Sequence, residues 1–214
     1  MGQFLPWLDD PDGFHRPWGD DTGLVSALIV FDTLEPAGVR RLAAAIRFAG
    51  RVGSERVVFC HDHSRTGVTE ADVATFGRQL SAVGADAAAQ GVKLSLHHHH
   101  GHPVMNPSDV RAFFAAVEPG TVGLTVDTGH LAKSGAVDIA EFIAEFADVT
   151  DNVHLKDFAD GQWQLLGRGE LDLEGVLAAL DTAGYPGWLC VDEESAADLG
   201  TGFAESKRWL DTRG

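Results

Sequence analysis

The sequence predicts an α/β fold of the (β/α)-barrel class, in which parallel strands and helices alternate along one domain. Short apolar runs alternate with stretches of helical periodicity from residue 24 onward. Four of the apolar runs lead directly into histidine, lysine or acidic residues. These four segments span residues 94–100, 124–130, 152–157 and 188–194. Since a parallel sheet brings the C-terminal ends of its strands to one face, we expect a site for a divalent cation there.

The elements follow in order along the chain. Strands are predicted over 24–31, 55–60, 92–96, 122–126, 153–155, 163–166 and 188–191. Helices are predicted over 35–50, 69–90, 138–147, 171–183 and 202–210, with a further helix beginning at 106. Strands that alternate with helices imply a parallel sheet with right-handed crossovers. A barrel of eight such units takes about 250 residues, with smaller examples near 200, so this pattern falls one unit short.

The chain has 214 residues, of which 44% are hydrophobic, and this length suits one domain with a sizeable core. Residues 1–21 are rich in proline, glycine and aspartate, and we expect an irregular N-terminal arm. Residues 22–214 form the predicted barrel domain.

Composition narrows the class of partner. Sixteen basic residues against 32 acidic ones leave a net charge of 16 − 32 = −16, which disfavours nucleic-acid binding. No apolar run approaches the roughly 20 residues that span a membrane, and the N-terminus lacks a basic signal-peptide region. Cys60 and Cys190 lie inside predicted strands, as small core residues do. We therefore expect a reduced, cytoplasmic protein without nucleic-acid or membrane partners.

Four short motifs resemble the sugar phosphate isomerase/epimerase superfamily, the xylose-isomerase-like barrels. The motifs are Val126–His130, His154–Asp157, Leu166–Asp172 and Gly184–Trp188. The resemblance covers residues 24–212 and implies a TIM-type barrel that here lacks its first β/α unit. It also implies a small sugar-like substrate and one divalent metal ion. Mn²⁺ is the expected metal, and Co²⁺, Mg²⁺ or Zn²⁺ would also fit.

The same resemblance implies the metal ligands. The family holds its metal with Glu, Asp, His and Glu at four strand ends, and Asp127 and His154 match two of these positions directly. His97 stands where many members have the first glutamate. At the last strand either Asp192 or Glu193 takes the position of the second glutamate, and strand alternation lets only one of them point inward.

Five further residues are candidates for catalysis or substrate binding. His99 is expected on the same strand face as His97, and His130 follows Asp127 by three residues. Lys156 shares a strand face with His154 and could neutralise an enolate, or could be a surface lysine. The remaining candidates for substrate contacts are Arg168, in a glycine-flanked loop, and His61, after the second predicted strand.

These features favour a metal-dependent isomerase or epimerase that acts on a small sugar or polyol-derived ketone through an enediolate. A dehydratase of the inosose or dehydroshikimate type fits nearly as well. A degenerate, non-catalytic barrel is the third possibility, because the first unit is missing. The exposed sheet edge that this leaves also makes a homodimer possible. A nuclease related to this barrel is disfavoured by the net charge of −16.

Overall fold

The computed structural model describes residues 4–16, 26–135 and 137–213. The chain forms two units, one made of Met1–His97 and Gly101–Gly123, the other of His98–His100 and Leu124–Gly214. Each unit contains a parallel β-ladder with helices, as the alternating pattern predicts. Among the described residues, no helix combines the length and apolar character that crossing a bilayer would require.

The first unit is built on three parallel strands, in which Leu28 lies beside Val57 and Val58 beside Ser95. The strands are β1 (Ala27–Asp32), β2 (Arg56–His61) and β3 (Lys93–His97). The helices are α1 (Pro11–His15), α2 (Pro36–Arg51), α3 (Glu70–Ala88) and α4 (Pro107–Phe114). Every residue of β2 is buried, as expected for a strand covered on both faces.

The N-terminal arm differs in part from the irregular segment that the sequence predicts. Its described part contains a 3-10 turn over Leu5–Trp7 and the short helix α1, while residues 17–21 lie outside the described residues. The ring of Phe4 stacks on Phe48 of α2 at 5.6 Å, and Phe14 meets Phe48 edge-on at 5.4 Å. These apolar contacts explain why a segment rich in proline and glycine is ordered there.

The second unit has its own parallel ladder, in which Asp127 lies beside His154 and His154 beside Cys190. Its strands are β4 (Gly123–Asp127), β5 (Thr150–Leu155) and β8 (Leu189–Val191), and an antiparallel hairpin adds β6 (Asp157–Ala159) and β7 (Gln162–Gln164). Its helices are α5 (Thr128–Lys133), α6 (Ile139–Glu145), α7 (Leu173–Thr182) and α8 (Leu199–Asp211).

Two features of the second unit depart from the sequence prediction. The strand predicted over 163–166 belongs to the β6–β7 hairpin instead of the parallel ladder, because Asp160 and Gly161 both take positive φ (51° and 77°) and form its turn. Helix α5 begins directly after β4 and was not predicted. The carboxylate of Asp127 caps it by accepting the backbone N–H of His130 at 2.7 Å.

Candidate metal centre and active site

Three potential metal ligands meet at the C-terminal ends of β4, β5 and β8. Asp127 ends β4, His154 lies in β5 directly beside it, and Asp192 follows β8. Their ligand atoms lie within 4.8 Å of one another. Nδ1 of His154 is 3.8 Å from Oδ2 of Asp127 and 3.9 Å from Oδ2 of Asp192. The parallel register of the ladder produces this cluster, because it aligns the ends of neighbouring strands.

The chemistry of this donor set fits a divalent cation. Two carboxylates and one imidazole supply the mixed oxygen and nitrogen ligands that Mn²⁺, Co²⁺ and Zn²⁺ accept. Asp127 is completely buried, and burial raises its pKa, although the positive charges of Lys156 and His154 oppose that effect. A cation bound at this point would offset the cost of burying the carboxylate.

Asp192 and Glu193 face different parts of the second unit. Asp192 faces His154, whereas Oε1 of Glu193 accepts the backbone N–H of Ser195 at 2.7 Å. The side chain of Glu193 also packs closely on α8, where a Cβ added at Gly202 would come within 2.7 Å of Cγ of Glu193. This divergence is the alternation expected of consecutive residues in an extended chain.

Lys156 is a buried ammonium held by carboxylates. Its Nζ lies 2.7 Å from Oδ2 of Asp192, 2.9 Å from Oε2 of Glu194 and 3.9 Å from Oδ2 of Asp127. The residue is only 2% exposed, which excludes the alternative that Lys156 is a surface lysine. Burial alone would lower the pKa of Lys156, but the carboxylates of Asp127, Asp192 and Glu194 outweigh it and raise the pKa above its usual value. The amine is therefore protonated and can act as an acid or as a positive charge.

The backbone and stem of Lys156 are fixed by the two residues that follow Asp127. Oγ1 of the buried Thr128 donates to the carbonyl of Lys156 at 2.6 Å and accepts from its N–H at 2.9 Å. Gly129 leaves room for the side chain, because a Cβ there would lie 2.8 to 3.0 Å from Cγ, Cδ and Cβ of Lys156. The start of α5 thus positions Lys156 as well as capping its own first turn.

Gly129→Ala is therefore expected to destabilise the protein, by about 1–3 kcal/mol, because the buried stem of Lys156 must shift. Gly50→Ala in α2 is the matched control, since a Cβ there would meet its neighbours at ordinary distances of 3.6 and 3.8 Å. This control should be neutral or stabilising by up to about 1 kcal/mol, because alanine favours helix more than glycine does. Urea unfolding of both variants measures the difference, and equal stabilities would contradict the packing argument.

Two imidazoles of the second unit, predicted as catalytic, lie against each other. The ring centroids of His99 and His130 are 3.7 Å apart, and His130 meets Trp163 edge-on at 5.1 Å. Nζ of Lys156 lies 4.7 Å from the centroid of the same tryptophan ring. His99, His130 and Lys156 are therefore linked through side-chain contacts in one unit.

His98 has a role that the sequence did not indicate. Its Nε2 accepts the backbone N–H of Asp127 at 3.0 Å, and its ring packs edge-on against Phe142 at 5.7 Å. Strand alternation could not locate this contact, since β3 ends at His97 and the next residues leave the strand. Glu194 was also missed, although its position two residues after Asp192 could have indicated a shared face.

Arg168 lies in a loop that is organised by a buried aspartate. The carboxylate of Asp157 accepts the backbone N–H groups of Gly167 and Gly169, both at 2.9 Å, and so fixes the loop on either side of Arg168. The guanidinium of Arg168 is mostly exposed and lies 3.7 Å from Glu205. Arg168 also lines a cavity of about 600 Å³ with Trp163 and Glu194, so it can reach a ligand in that cavity.

His61 and His97 end the strands β2 and β3 of the first unit, and both are buried. The ring of His61 packs edge-on against Phe76 with centroids 4.3 Å apart. Burial, together with the nearby His63 and His102, lowers the pKa of His61 to about 4. His61 is therefore neutral at physiological pH, and its role in substrate binding stays a prediction, as does metal ligation by His97.

The lowered pKa of His61 predicts an acid-sensitive fold. Between pH 6.5, the ordinary pKa, and about 4, the folded-state pKa, only the unfolded chain binds this proton. Stability should therefore fall as the pH drops through this window, by about 3 kcal/mol from this group, and the loss should level off below it. Urea unfolding at several pH values checks this. His61→Phe should flatten the dependence, and an unchanged slope in that variant would refute the assignment.

Comparison with known proteins identifies the family of this chain. Residues 28–213 match the xylose isomerase-like TIM barrel family. An inosose dehydratase of Salmonella agona is 32% identical over 134 residues, which cover 54% of this chain and 44% of that protein. The chain spans about half the length of the curated relatives it matches, which range from 44% to 51%.

Solved structures show the same fold. The 3-keto-D-glucoside 4-epimerase YcjR of E. coli superimposes with a TM-score of 0.81 at 17% identity, covering 97% of this chain and 86% of that one. The IOLI protein with a bound zinc atom gives a TM-score of 0.79 at 17% identity, covering 99% and 85%. The sequence-based expectation of an α/β, TIM-type fold is thus confirmed, and the chain belongs to the xylose isomerase-like TIM barrel family.

Proposed function

We propose that this protein is a divalent-metal-dependent dehydratase that removes water from a polyol-derived ketone, as an inosose dehydratase does. The observation that carries the proposal is the buried ammonium of Lys156, held at 2.7 Å from Asp192 and beside the cluster of Asp127 and His154. The similarity to inosose dehydratases over 134 residues supports the same substrate class.

Asp127, His154 and Asp192 are the proposed ligands, and the proposal prefers Asp192 to Glu193 because Glu193 faces α8. His97 as a fourth ligand, and Mn²⁺ as the metal, stay predictions from the sequence. A bound divalent ion would act as a Lewis acid that polarises the substrate carbonyl. The bound zinc in the IOLI protein supports a divalent metal without indicating which ion this chain prefers.

Side chains of the second unit would carry out the two proton transfers of the reaction. One imidazole of the His99–His130 pair takes the proton from the carbon next to the carbonyl, and that C–H electron pair forms the C=C bond of an enolate. Lys156 then gives its proton to the β-hydroxyl as the C–O bond breaks and water leaves with that electron pair. In the same step the carbonyl re-forms, and the C=C pair of the enolate becomes a double bond between the α- and β-carbons. The protonated imidazole and neutral lysine return to their starting states by exchange with solvent, and no oxidant or reductant is needed.

An isomerase or epimerase, which the sequence favours slightly, is the second candidate. The contact between His99 and His130 supports it, because two adjacent imidazoles could accept and return a proton at different positions. The buried ammonium of Lys156 favours dehydration over it, because a leaving hydroxyl needs a proton donor, whereas returning a proton to carbon can be done by the imidazoles alone. We therefore place dehydration first.

Proton NMR in D₂O distinguishes the two functions. The Mn²⁺-loaded protein would be incubated separately with an inosose and with a ketohexose. Dehydration appears as conversion of the inosose to a product that keeps every carbon but has lost one hydroxyl group. Isomerisation or epimerisation appears as deuterium at the carbon next to the carbonyl and as a new stereoisomer or aldose. A loaded protein that leaves every such substrate both unconverted and unlabelled would favour the non-catalytic barrel.

The location of the protein and its oligomeric state are two further predictions. A cytoplasmic location remains a prediction from composition and cysteine usage. A homodimer also remains a prediction, and the mass from light scattering after size-exclusion chromatography would test it. Neither affects the assignment of the reaction.

A further inference from the structure

We propose that Lys156 competes with the divalent metal for the carboxylates of Asp127 and Asp192, and that Glu194 sets metal affinity by holding the ammonium away from them. The inference rests on the proposed function, since it assumes the metal site at Asp127, His154 and Asp192. It assigns Glu194 as a positioning residue that acts through Lys156 and does not touch the metal.

The imidazole of His154 and the ammonium of Lys156 lie beside the same two carboxylate oxygens. Oδ2 of Asp192 is 2.7 Å from Nζ of Lys156 and 3.9 Å from Nδ1 of His154. Oδ2 of Asp127 is 3.9 Å from Nζ of Lys156 and 3.8 Å from Nδ1 of His154. A cation held by His154 and these two oxygens therefore shares both of them with Lys156.

Charge makes this sharing costly. An ammonium and a divalent cation that lie beside the same two carboxylates repel each other, and Lys156 is too buried for water to screen the repulsion fully. The side chain of Lys156 cannot swing far, because Thr128 fixes its backbone and Gly129 packs against its stem. Small shifts of the ammonium among its carboxylate partners are the remaining way to relieve the repulsion.

Glu194 is suited to receive the ammonium. Its Oε2 lies 2.9 Å from Nζ of Lys156, and its side chain is about half exposed, which leaves it freedom to follow a small movement. Glu194 lies two residues beyond Asp192, on the chain that leaves β8. When a metal is bound by Asp192, Glu194 can still neutralise the charge of Lys156. Without Glu194, Lys156 must rely on the two carboxylates that the metal needs.

A double-mutant cycle tests this with Mn²⁺ alone, without any substrate. Free Mn²⁺ would be followed by electron paramagnetic resonance during titration of the wild type, Lys156→Met, Glu194→Gln and the double variant. Lys156→Met should bind Mn²⁺ more tightly and Glu194→Gln more weakly, each by about five- to tenfold. In the Lys156→Met background, Glu194→Gln should have little further effect, because its partner is gone.

Controls separate this coupling from simple loss of charge. Glu174→Gln removes the same charge from α7, where Glu174 pairs with Arg213 at 2.9 Å, and it should leave Mn²⁺ affinity unchanged. Equal weakening by Glu194→Gln with and without Lys156 would overturn the inference, because Glu194 would then act only through its charge. Weaker Mn²⁺ binding by Lys156→Met would overturn it as well. A wild type that binds no Mn²⁺, Co²⁺, Mg²⁺ or Zn²⁺ would instead refute the metal site of the proposed function.

Discussion

Replacing His154 by alanine is expected to abolish metal binding and turnover while the fold persists. His154 supplies the nitrogen donor of the cluster and is 3.8 Å from Asp127 and 3.9 Å from Asp192. Without it, a divalent ion would keep only the two carboxylates as ligands. It would also be repelled by the ammonium of Lys156, which lies beside both of them. Mn²⁺ affinity should fall by at least about 100-fold, since loss of a residue that merely supports a ligand already costs 10–100-fold.

Plasma mass spectrometry of the dialysed variant measures the metal, and far-UV circular dichroism checks the fold. His63→Ala is the matched control, because His63 is an exposed histidine in the loop that follows β2. It should bind metal in the same amount as the wild type. Stoichiometric metal in His154→Ala would mean that the ligands lie elsewhere, and the assignment of Asp127 and Asp192 would fall with that of His154.

The strand ends could be predicted because their signals are local. Each apolar run that leads into a histidine or acid describes a buried parallel strand, and this was enough to expect the strand ends near Asp127 and His154 on one face of the sheet. Their choice as ligands came from the family resemblance. The register confirms that they lie side by side on β4 and β5. The predicted helix over 35–50 likewise appears as α2, Pro36–Arg51, because its apolar positions recur at helical spacing.

The surroundings of Lys156 could not be predicted, because they depend on contacts between distant parts of the chain. Thr128 is 28 residues from Lys156, and Glu194 is 38 residues from it. No periodicity links such positions, and a lysine at the end of a strand is more often exposed. The β6–β7 hairpin is different, since the Asp160–Gly161 pair that forms its turn is a strong local signal. The sequence contains this signal, but the alternation of strands and helices favoured a separate strand over 163–166 instead of a hairpin.

Lys156→Met is expected to reduce turnover by about 10²–10⁴-fold, the usual contribution of a positioned acid or base. Methionine keeps most of the stem that packs on Gly129 and removes the ammonium that Asp192 and Glu194 hold. The variant should still bind Mn²⁺, which separates it from His154→Ala. If the lysine protonates the leaving hydroxyl, kcat should fall while binding of the substrate changes little, because the proton is needed only as the C–O bond breaks.

Lys133→Met is the matched control for this variant. Nζ of Lys133 lies 4.3 Å from the centroid of Trp163, so Lys133 shares that ring with Lys156 while its side chain is exposed. Removing it deletes a positive charge beside the same tryptophan and should leave turnover within about twofold, as expected for an exposed charge. Equal losses in both lysine variants would mean that positive charge near Trp163 matters in general. A Lys156→Met protein with turnover close to that of the wild type would show that the leaving hydroxyl takes its proton from another group, and the His99–His130 pair would then be the first to test.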